Sequence, residues 1–265
     1  MFRWLLSGVL AFAAPALASA EEIHSPHCLR GCPAGGPPTN DVIVREIYVL
    51  SSNDETKFAD WVAYRLTAET MAGSEDERNF KKDPLLARDE TLERADYTGA
   101  HDQLGTDRGH QAPLADFTGT DHWRDTNFLS NITPQSSDLN QGSWKRLEEA
   151  VRDLVTAHGH ATVFVMTGTL YERVMPSLPG ADEDHRIPSG YWKVVSVPAD
   201  ARVEVAGFVF DQDTAFDADF CDHLVLVREI EDRAELDFFH AVSQSRQDAI
   251  ETEPGGLSQD LGCPS

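Results

Sequence analysis

The sequence predicts an α+β fold with a mainly antiparallel central sheet flanked by helices. Runs rich in Val, Ile, Phe and Tyr outnumber the helical segments. These runs are not separated by regular helices, as a doubly wound parallel sheet would require. About 245 residues follow a short leader, which is enough to bury a full core. We therefore expect a single domain over residues 21–265.

The predicted strands are short apolar runs with β-branched and aromatic residues. They cover residues 41–51, 161–170, 191–197, 203–210 and 224–227. Residues 58–70 fit either a strand or a short helix, and the polar residues 73–90 predict a long surface loop.

One long helix is predicted over residues 137–158, because apolar residues recur there at spacings of three and four. Ser137 or Asp138 would cap its start. The apolar stripe consists of Trp144, Leu147, Val151, Leu154 and Val155.

Residues 1–20 have the three parts of a secretory signal peptide. Arg3 supplies a positive start, residues 5–17 are apolar, and Ala18-Ser19-Ala20 forms a small-residue cleavage site. The apolar run is too short to span a bilayer comfortably. We expect an exported protein, extracellular or periplasmic, that is not bound to a membrane.

The four cysteines are Cys28, Cys32, Cys221 and Cys263. An even number in an exported chain predicts two disulfides, because the compartment is oxidising. Three pairings satisfy that count. The spacings do not match zinc-binding patterns, so a zinc site is disfavoured.

The chain is strongly acidic, with a net charge of −23. The leader contains one Arg and no acid, so the mature chain would carry −24. Such a charge opposes the approach of a polyanion. Any binding of nucleic acid must therefore come from a local group of residues and a metal ion.

Residues 106–115 hold the most reactive combination of side chains. Asp107, Arg108 and His110 stand within four residues, with a glycine between the last two. Phosphodiester hydrolysis needs a base that is active near neutral pH, which His provides, and a cation to offset charge on the phosphate, which Arg provides. Alone, this tetrapeptide is more typical of a turn with a surface Asp–Arg pair.

Further motifs follow in a fixed order. They are Asn-Phe-Leu-Ser-Asn-Ile-Thr-Pro-Gln at 127–135, Ser-Asp-Leu-Asn-Gln-Gly at 137–142 and Trp-Lys-Arg-Leu-Glu at 144–148. Together with Asp-Arg-Gly-His at 107–110, they resemble the DNA/RNA non-specific endonucleases. Segments 78–84, 95–100, 170–173 and 187–194 are also similar, so the resemblance covers about residues 28–263.

The resemblance implies a hydrolase that cuts DNA and RNA, single- and double-stranded, and leaves 5′-phosphate ends. His110 would be the general base and Asn140 the one side chain that ligates Mg²⁺, with water in the other octahedral positions. Manganese is left open as an alternative ion. The ββα-metal arrangement of the family would carry the site.

Other site residues are implied in the same way. Arg108 and Arg78 would hold the phosphate and stabilise the transition state, Asn131 would orient the site, and Asp107 would steady the motif or the hydrated metal. Glu148 would support the metal's water shell. Within one helix it would lie about 12 Å from Asn140 along the axis, which is too far for both to ligate one ion. Either Asn140 stands at an irregular helix start or Glu148 acts through water, and the role through water is favoured.

The resemblance also implies the disulfide pairs Cys28–Cys32 and Cys221–Cys263. The family includes homodimers, but the sequence locates no interface for one. Two alternatives remain open: a metal-dependent phosphodiesterase with a narrower substrate, and an acidic, cation-binding interaction protein whose nuclease site has decayed.

Overall fold

The structure, a computed structural model, describes residues 23–74, 77–199 and 202–264. The predicted signal peptide at residues 1–20 lies outside the described residues. No helix in the described part of the chain is long and apolar enough to cross a membrane.

The described strands vary in length from two to ten residues. They are β1 Ala34–Gly35, β2 Asp41–Val44, β3 Val49–Ser52, β4 Ala59–Leu66, β5 Thr106–His110, β6 Ile132–Ser136, β7 Val163–Leu170, β8 Gly190–Ala199, β9 Arg202–Asp211, β10 Leu224–Val225 and β11 Leu236–Asp237. Seven of them form the central sheet, in the order β10-β9-β8-β7-β4-β3-β2, and every neighbouring pair is antiparallel. The α+β prediction is confirmed.

The described helices are short, apart from one of 14 residues. They are α1 Ala100–Leu104, α2 Ser137–Gln141, α3 Ser143–Thr156, α4 Val227–Ala234, α5 Gln244–Thr252 and α6 Leu257–Asp260.

Both faces of the sheet are buried, which explains its nearly continuous apolar strands. Along β4, Val62 and Tyr64 belong to the core cluster that includes the apolar stripe of α3. Trp61 and Ala63 point to the other face and belong to the cluster that includes Ile230 of α4. Successive side chains of a strand alternate between faces, so one strand contributes to both clusters.

Two predicted boundaries are wrong for local reasons. The run 41–51 is a hairpin of β2 and β3, closed by a 2.8 Å hydrogen bond from the Arg45 amide to the Tyr48 carbonyl. The run 137–158 is two helices separated at Gly142. The side chain of Ser136, not of Ser137 or Asp138, caps α2 by accepting a bond from the Leu139 amide.

Gly142 causes the break between α2 and α3. Its backbone lies at φ −98° and ψ −110°, outside the helical region. A Cβ at this position would lie 2.3 Å from the Phe216 carbonyl oxygen and 2.4 Å from that of Asp138. Only glycine fits such a close backbone contact, so the chain changes direction immediately after α2.

The two disulfides join Cys28 to Cys32 and Cys221 to Cys263, as the resemblance implied. No cysteine of the chain is free. The second bond ties the C-terminal segment to the chain just before β10. Loss of a native disulfide from a small secreted domain typically costs about 2–5 kcal/mol.

Two buried glutamates lie together where α4 meets α5. Glu231 and Glu251 are 5 % and 0 % exposed, and Arg228 reaches Glu251 at 2.5 Å. Burial, and then the charge of Glu251, raise the pKa of Glu231 to about 8, although the Phe238 amide donates to it. This pair therefore holds a proton that the unfolded chain would release.

We expect Glu231→Gln to stabilise the protein at pH 8 and to change it little at pH 5. Because the pKa of Glu231 is raised, its contribution to stability is full below about 4.5 and is lost as pH rises through about 8. Gln carries no charge at either pH, and its Oε1 can still accept the Phe238 amide. Thermal unfolding at both pH values measures the difference, at about 2–4 °C per kcal/mol.

The matched control is Glu253→Gln, since that side chain is exposed. It should leave the unfolding temperature nearly unchanged at both pH values. If Glu231→Gln raised the unfolding temperature equally at pH 5 and pH 8, that result would contradict the proton-linked explanation.

Candidate active site

The sequence 106–110 forms β5, which pairs with β6 to make a two-stranded antiparallel ribbon. Helix α2 begins at the residue after β6, so strand, strand and helix form one ββα unit. Gly109 is needed inside the ribbon, because a Cβ there would lie 2.8 Å from the Cβ of Gln135, whose side chain is buried. The ribbon positions His110 at the end of β5.

The orientation of His110 is set by a side chain that the sequence did not single out. Its Nε2 lies 3.2 Å from the Oδ1 of Asn127, which is 2 % exposed. An amide oxygen can only accept, so Nε2 carries the hydrogen, and in the neutral ring the lone pair lies on Nδ1. The Phe80 ring packs 5.6 Å from the imidazole, between ring centroids. Asn127 and Phe80 therefore fix the ring, and Nδ1 is the nitrogen that can act as a base.

The electrostatics of His110 agree with that orientation. Burial, and then the charge of Arg78, lower its pKa to about 4, against the opposing hydrogen bond to Asn127. At neutral pH the imidazole is consequently uncharged and can accept a proton.

Asn131 has a supporting position, since its side chain is fully buried. Its Oδ1 accepts from the Ala112 amide, and its Nδ2 donates to the carbonyls of Ala112 and Thr126, all at 2.9 Å. These bonds join the segment just after His110 to the residue just before Asn127. Asn131 thus fixes the base relative to its orienting partner.

Asp107 and Asn140 are brought together across the ββα unit. Asp107 accepts hydrogen bonds from Ser137 Oγ at 2.9 Å, Asn140 Nδ2 at 3.0 Å and Gln141 Nε2 at 2.7 Å. Burial works against ionisation of Asp107, but these three bonds, led by that of Gln141, outweigh it and lower its pKa. Because Asn140 uses its Nδ2 for the hydrogen bond to Asp107, its Oδ1 remains as a ligand for a cation.

A cavity of about 420 Å³ opens in front of Asn140. We call it the Asn140 cavity, and its wall includes Arg78, Phe80, Tyr97, Asp107, Arg108 and Asn140. The guanidinium of Arg108 lies 5.3 Å from the ring centroids of both Phe80 and Tyr97. This stacking holds the cation over the cavity.

Glu148 does not share a helix with Asn140. It is on α3, beyond the break at Gly142, and does not line the Asn140 cavity. Burial raises its pKa to about 7, while the charges of Lys193 and Arg152 lower it and that of Asp116 raises it further. Arg152 pairs with Asp116 at 3.0 Å, and Asp116 is 1 % exposed.

Glu148, Arg152, Asp116 and Lys193 influence one another by charge, and Lys193 is the least expected of the four. It is fully buried on β8, with its Nζ 4.2 Å from the centroid of the Trp144 ring. Burial lowers its pKa, against the charge of Glu148. In sequence, Lys193 stands inside an apolar strand, and only the fold shows that it is buried where the charge of Glu148 acts on it.

Known proteins identify the family to which this sequence belongs. Residues 25–245 match the family model described as DNA/RNA non-specific endonuclease. The chain is 46 % identical to a nuclease of Serratia marcescens over 98 % of this chain and 97 % of that protein. It is 31 % identical to a nuclease of a Nostoc species over 90 % and 89 % of the two chains.

A solved structure shares the fold. It is described as a crystal structure of the EndoG/EndoGI complex and superposes with a TM-score of 0.66, at 25 % identity, over 80 % of this chain and 91 % of that one. Family match, relatives and fold agree over most of the sequence. This chain belongs to the family of DNA/RNA non-specific endonucleases.

Proposed function

We propose that the protein is a secreted, magnesium-dependent endonuclease in which His110 activates the water that attacks DNA or RNA and leaves 5′-phosphate ends. One observation carries the proposal. His110 is held neutral with Nδ1 available, and Phe80 joins it to a cavity whose wall combines Arg78, Arg108 and Asn140. A base, two cations and an oxygen ligand are the parts that metal-assisted hydrolysis needs.

The donor set fits a hard divalent cation such as Mg²⁺. Asn140 would hold it through Oδ1, and Asp107 adds negative charge to the same wall while orienting that amide. When bound, the ion would supply Lewis-acid polarisation of the phosphate.

The remaining steps use side chains of this chain. His110 Nδ1 would take a proton from the attacking water as the bond between phosphorus and the 3′ oxygen breaks, and the departing 3′ oxygen would take its proton from a water molecule. Asn127 would keep the imidazole in the tautomer whose Nδ1 can act as a base. Arg78 and Arg108 would offset the charge that builds up on the phosphate oxygens, as guanidinium groups do in pairs with phosphate. Asn131 would hold the base and its partner in register.

Export is proposed from the leader at residues 1–20, with a single endonuclease domain over 21–265. Two disulfides support it, since such bonds persist in oxidising compartments.

The proposal predicts that the purified chain nicks plasmid DNA and degrades single-stranded DNA and RNA in Mg²⁺. EDTA should abolish all three activities, and excess Mg²⁺ should restore them. Mn²⁺ serves as the second cation, and release of phosphate from the products by a phosphatase specific for 5′ ends checks the chemistry.

Other outcomes separate the alternatives. Cleavage of small diesters alone would indicate a phosphodiesterase with a narrow substrate. An inactive but folded chain that binds cations would indicate a decayed site. Undiminished cleavage in EDTA would reject the metal-dependent mechanism.

A further inference from the structure

A second cavity shares Arg78 with the Asn140 cavity, and its charge is opposite to that of the chain as a whole. It measures about 470 Å³, and we call it the Lys81 cavity. Its charged wall residues are Arg78, Lys81, Arg94, Arg124, Glu77 and Asp125. Acids outnumber bases 45 to 22 in the full sequence, whereas bases outnumber acids in this wall.

The Lys81 cavity adjoins the catalytic base. Arg78 lines both cavities, and Asn127, which orients His110, lines this one. His110 thus contacts Phe80 from the wall of the Asn140 cavity and Asn127 from the wall of the Lys81 cavity. A strand with its scissile phosphate at His110 would extend into one cavity on each side.

The backbone positions of Lys81 and Arg124 are tied to the segment around Asn127. The Lys81 amide donates to the Asn127 carbonyl at 3.0 Å, and the Leu129 amide donates to the Lys81 carbonyl at 2.8 Å. Arg124 lies on the 3₁₀ helix Trp123–Asn127, which ends at Asn127 itself. The same short segment therefore sets the positions of these cations and of the base.

The side chains that would meet a ligand are accessible. Lys81, Arg94 and Arg124 are all exposed. Arg124 also stacks 4.3 Å from the Trp123 ring centroid, which limits the directions its guanidinium can take. A cavity of this size suits a ligand group the size of a nucleotide, since ligand pockets typically measure roughly 300–1,000 Å³.

We propose that the Lys81 cavity is a binding subsite for the backbone phosphates that flank the scissile bond, with Lys81, Arg94 and Arg124 as their ligands. This inference rests on the proposed function. Phosphate contacts supply most of the affinity for nucleic acid without reading its sequence, which suits a non-specific enzyme. Because the rest of the chain is strongly acidic, the substrate would be attracted to the subsite and not to other parts of the surface.

The subsite has a consequence for substrate length. An oligonucleotide can occupy the Lys81 cavity and the catalytic centre together, whereas a small diester such as bis(p-nitrophenyl) phosphate reaches only the centre. The preference for oligonucleotide over small diester, as a ratio of kcat/KM values, therefore reports on the subsite.

The test compares two triple variants with the same change of charge. One carries Lys81→Gln, Arg94→Gln and Arg124→Gln. The control carries Arg30→Gln, Arg202→Gln and Arg246→Gln, which line a separate cavity of about 180 Å³ that shares no residue with the other two. We expect the first variant to lower the kcat/KM ratio at least about tenfold, mainly through KM, and the control to keep it within about twofold.

Binding measured against salt provides the second readout. In a His110→Ala background, a fluorescent single-stranded octamer is titrated at several salt concentrations. Each lost phosphate contact should reduce the slope of log affinity against log salt by about 0.7. The triple variant at Lys81, Arg94 and Arg124 should lose up to about two units of this slope, and the control triple variant should lose none.

The outcomes keep the two proposals apart. If the wild-type chain cleaves nucleic acid but both triple variants behave alike, the subsite is wrong and the proposed function stands. Should the wild-type chain fail to cleave any nucleic acid in Mg²⁺, the proposed function itself fails. Thermal unfolding of each variant confirms that the exposed substitutions leave the fold intact.

Discussion

His110→Ala is expected to lower kcat for plasmid cleavage by about 10²–10⁴-fold while changing the affinity for DNA much less. A general base contributes about that much, and the cations that would bind phosphate remain in the variant. Nicking kinetics under saturating substrate measure the loss, and binding of a labelled oligonucleotide measures the affinity. A kcat within a few-fold of the wild-type value would reject His110 as the base.

The matched control is His158→Ala, since that imidazole is 43 % exposed beyond the end of α3 and should be dispensable. The pH profile adds an independent check. Because the pKa of His110 is lowered to about 4, the base stays unprotonated well below the ordinary range of histidine. The acid limb of kcat/KM should therefore lie near 4, and an acid limb near 6.5 would contradict the environment described for this residue.

Asn140→Ala is expected to reduce activity at limiting Mg²⁺ by at least about a hundredfold. Removing Oδ1 removes the proposed protein ligand, and a catalytic metal ion supplies several kcal/mol, at about 1.36 kcal/mol for each tenfold in rate. The dependence of rate on Mg²⁺ concentration measures the effect. We expect the half-saturating concentration to rise sharply and kcat to recover only in part at high Mg²⁺.

Two comparisons separate the loss of a ligand from a general disturbance. Asn140→Asp keeps an oxygen at the same position and should bind Mg²⁺ better than the alanine variant, although it loses the Nδ2 bond to Asp107. Gln244→Ala removes an exposed amide on α5 and should leave the Mg²⁺ dependence unchanged. An Asn140→Ala enzyme with the wild-type Mg²⁺ dependence would exclude this residue as a ligand.

The fold could be predicted where the type and spacing of apolar residues within one short segment indicate its secondary structure. The apolar stripe of α3 follows from a periodicity of about 3.6 residues, and the apolar runs that form β7, β8 and β9 are rich in residues that favour strands. The break at Gly142 could not be predicted in this way, because no local apolar pattern marks it. It depends on the Phe216 carbonyl, which arrives from a distant part of the chain.

The candidate site, like the fold, could be predicted only in part from the sequence. The order of its motifs indicated His110, Arg108, Arg78 and Asn140, and their residue types suggested the chemistry. Asn127 stood inside a recognised motif, yet no pattern linked it to an imidazole 17 residues earlier. Such a contact depends on how the segment before β6 folds back over β5.

By itself, the sequence determined the fold class, the residue types of the site and the membership of the family, because these follow from local pattern and from motifs in order. Only the tertiary structure decided which neighbours act on each group. It set the orientation and the lowered pKa of His110, brought the charges of Glu148 and Lys193 within range of each other, and gathered cations around the Lys81 cavity of an acidic protein. Hydrogen bonds, desolvation and charge act through space over a few ångströms, and chain folding alone determines which residues come that close.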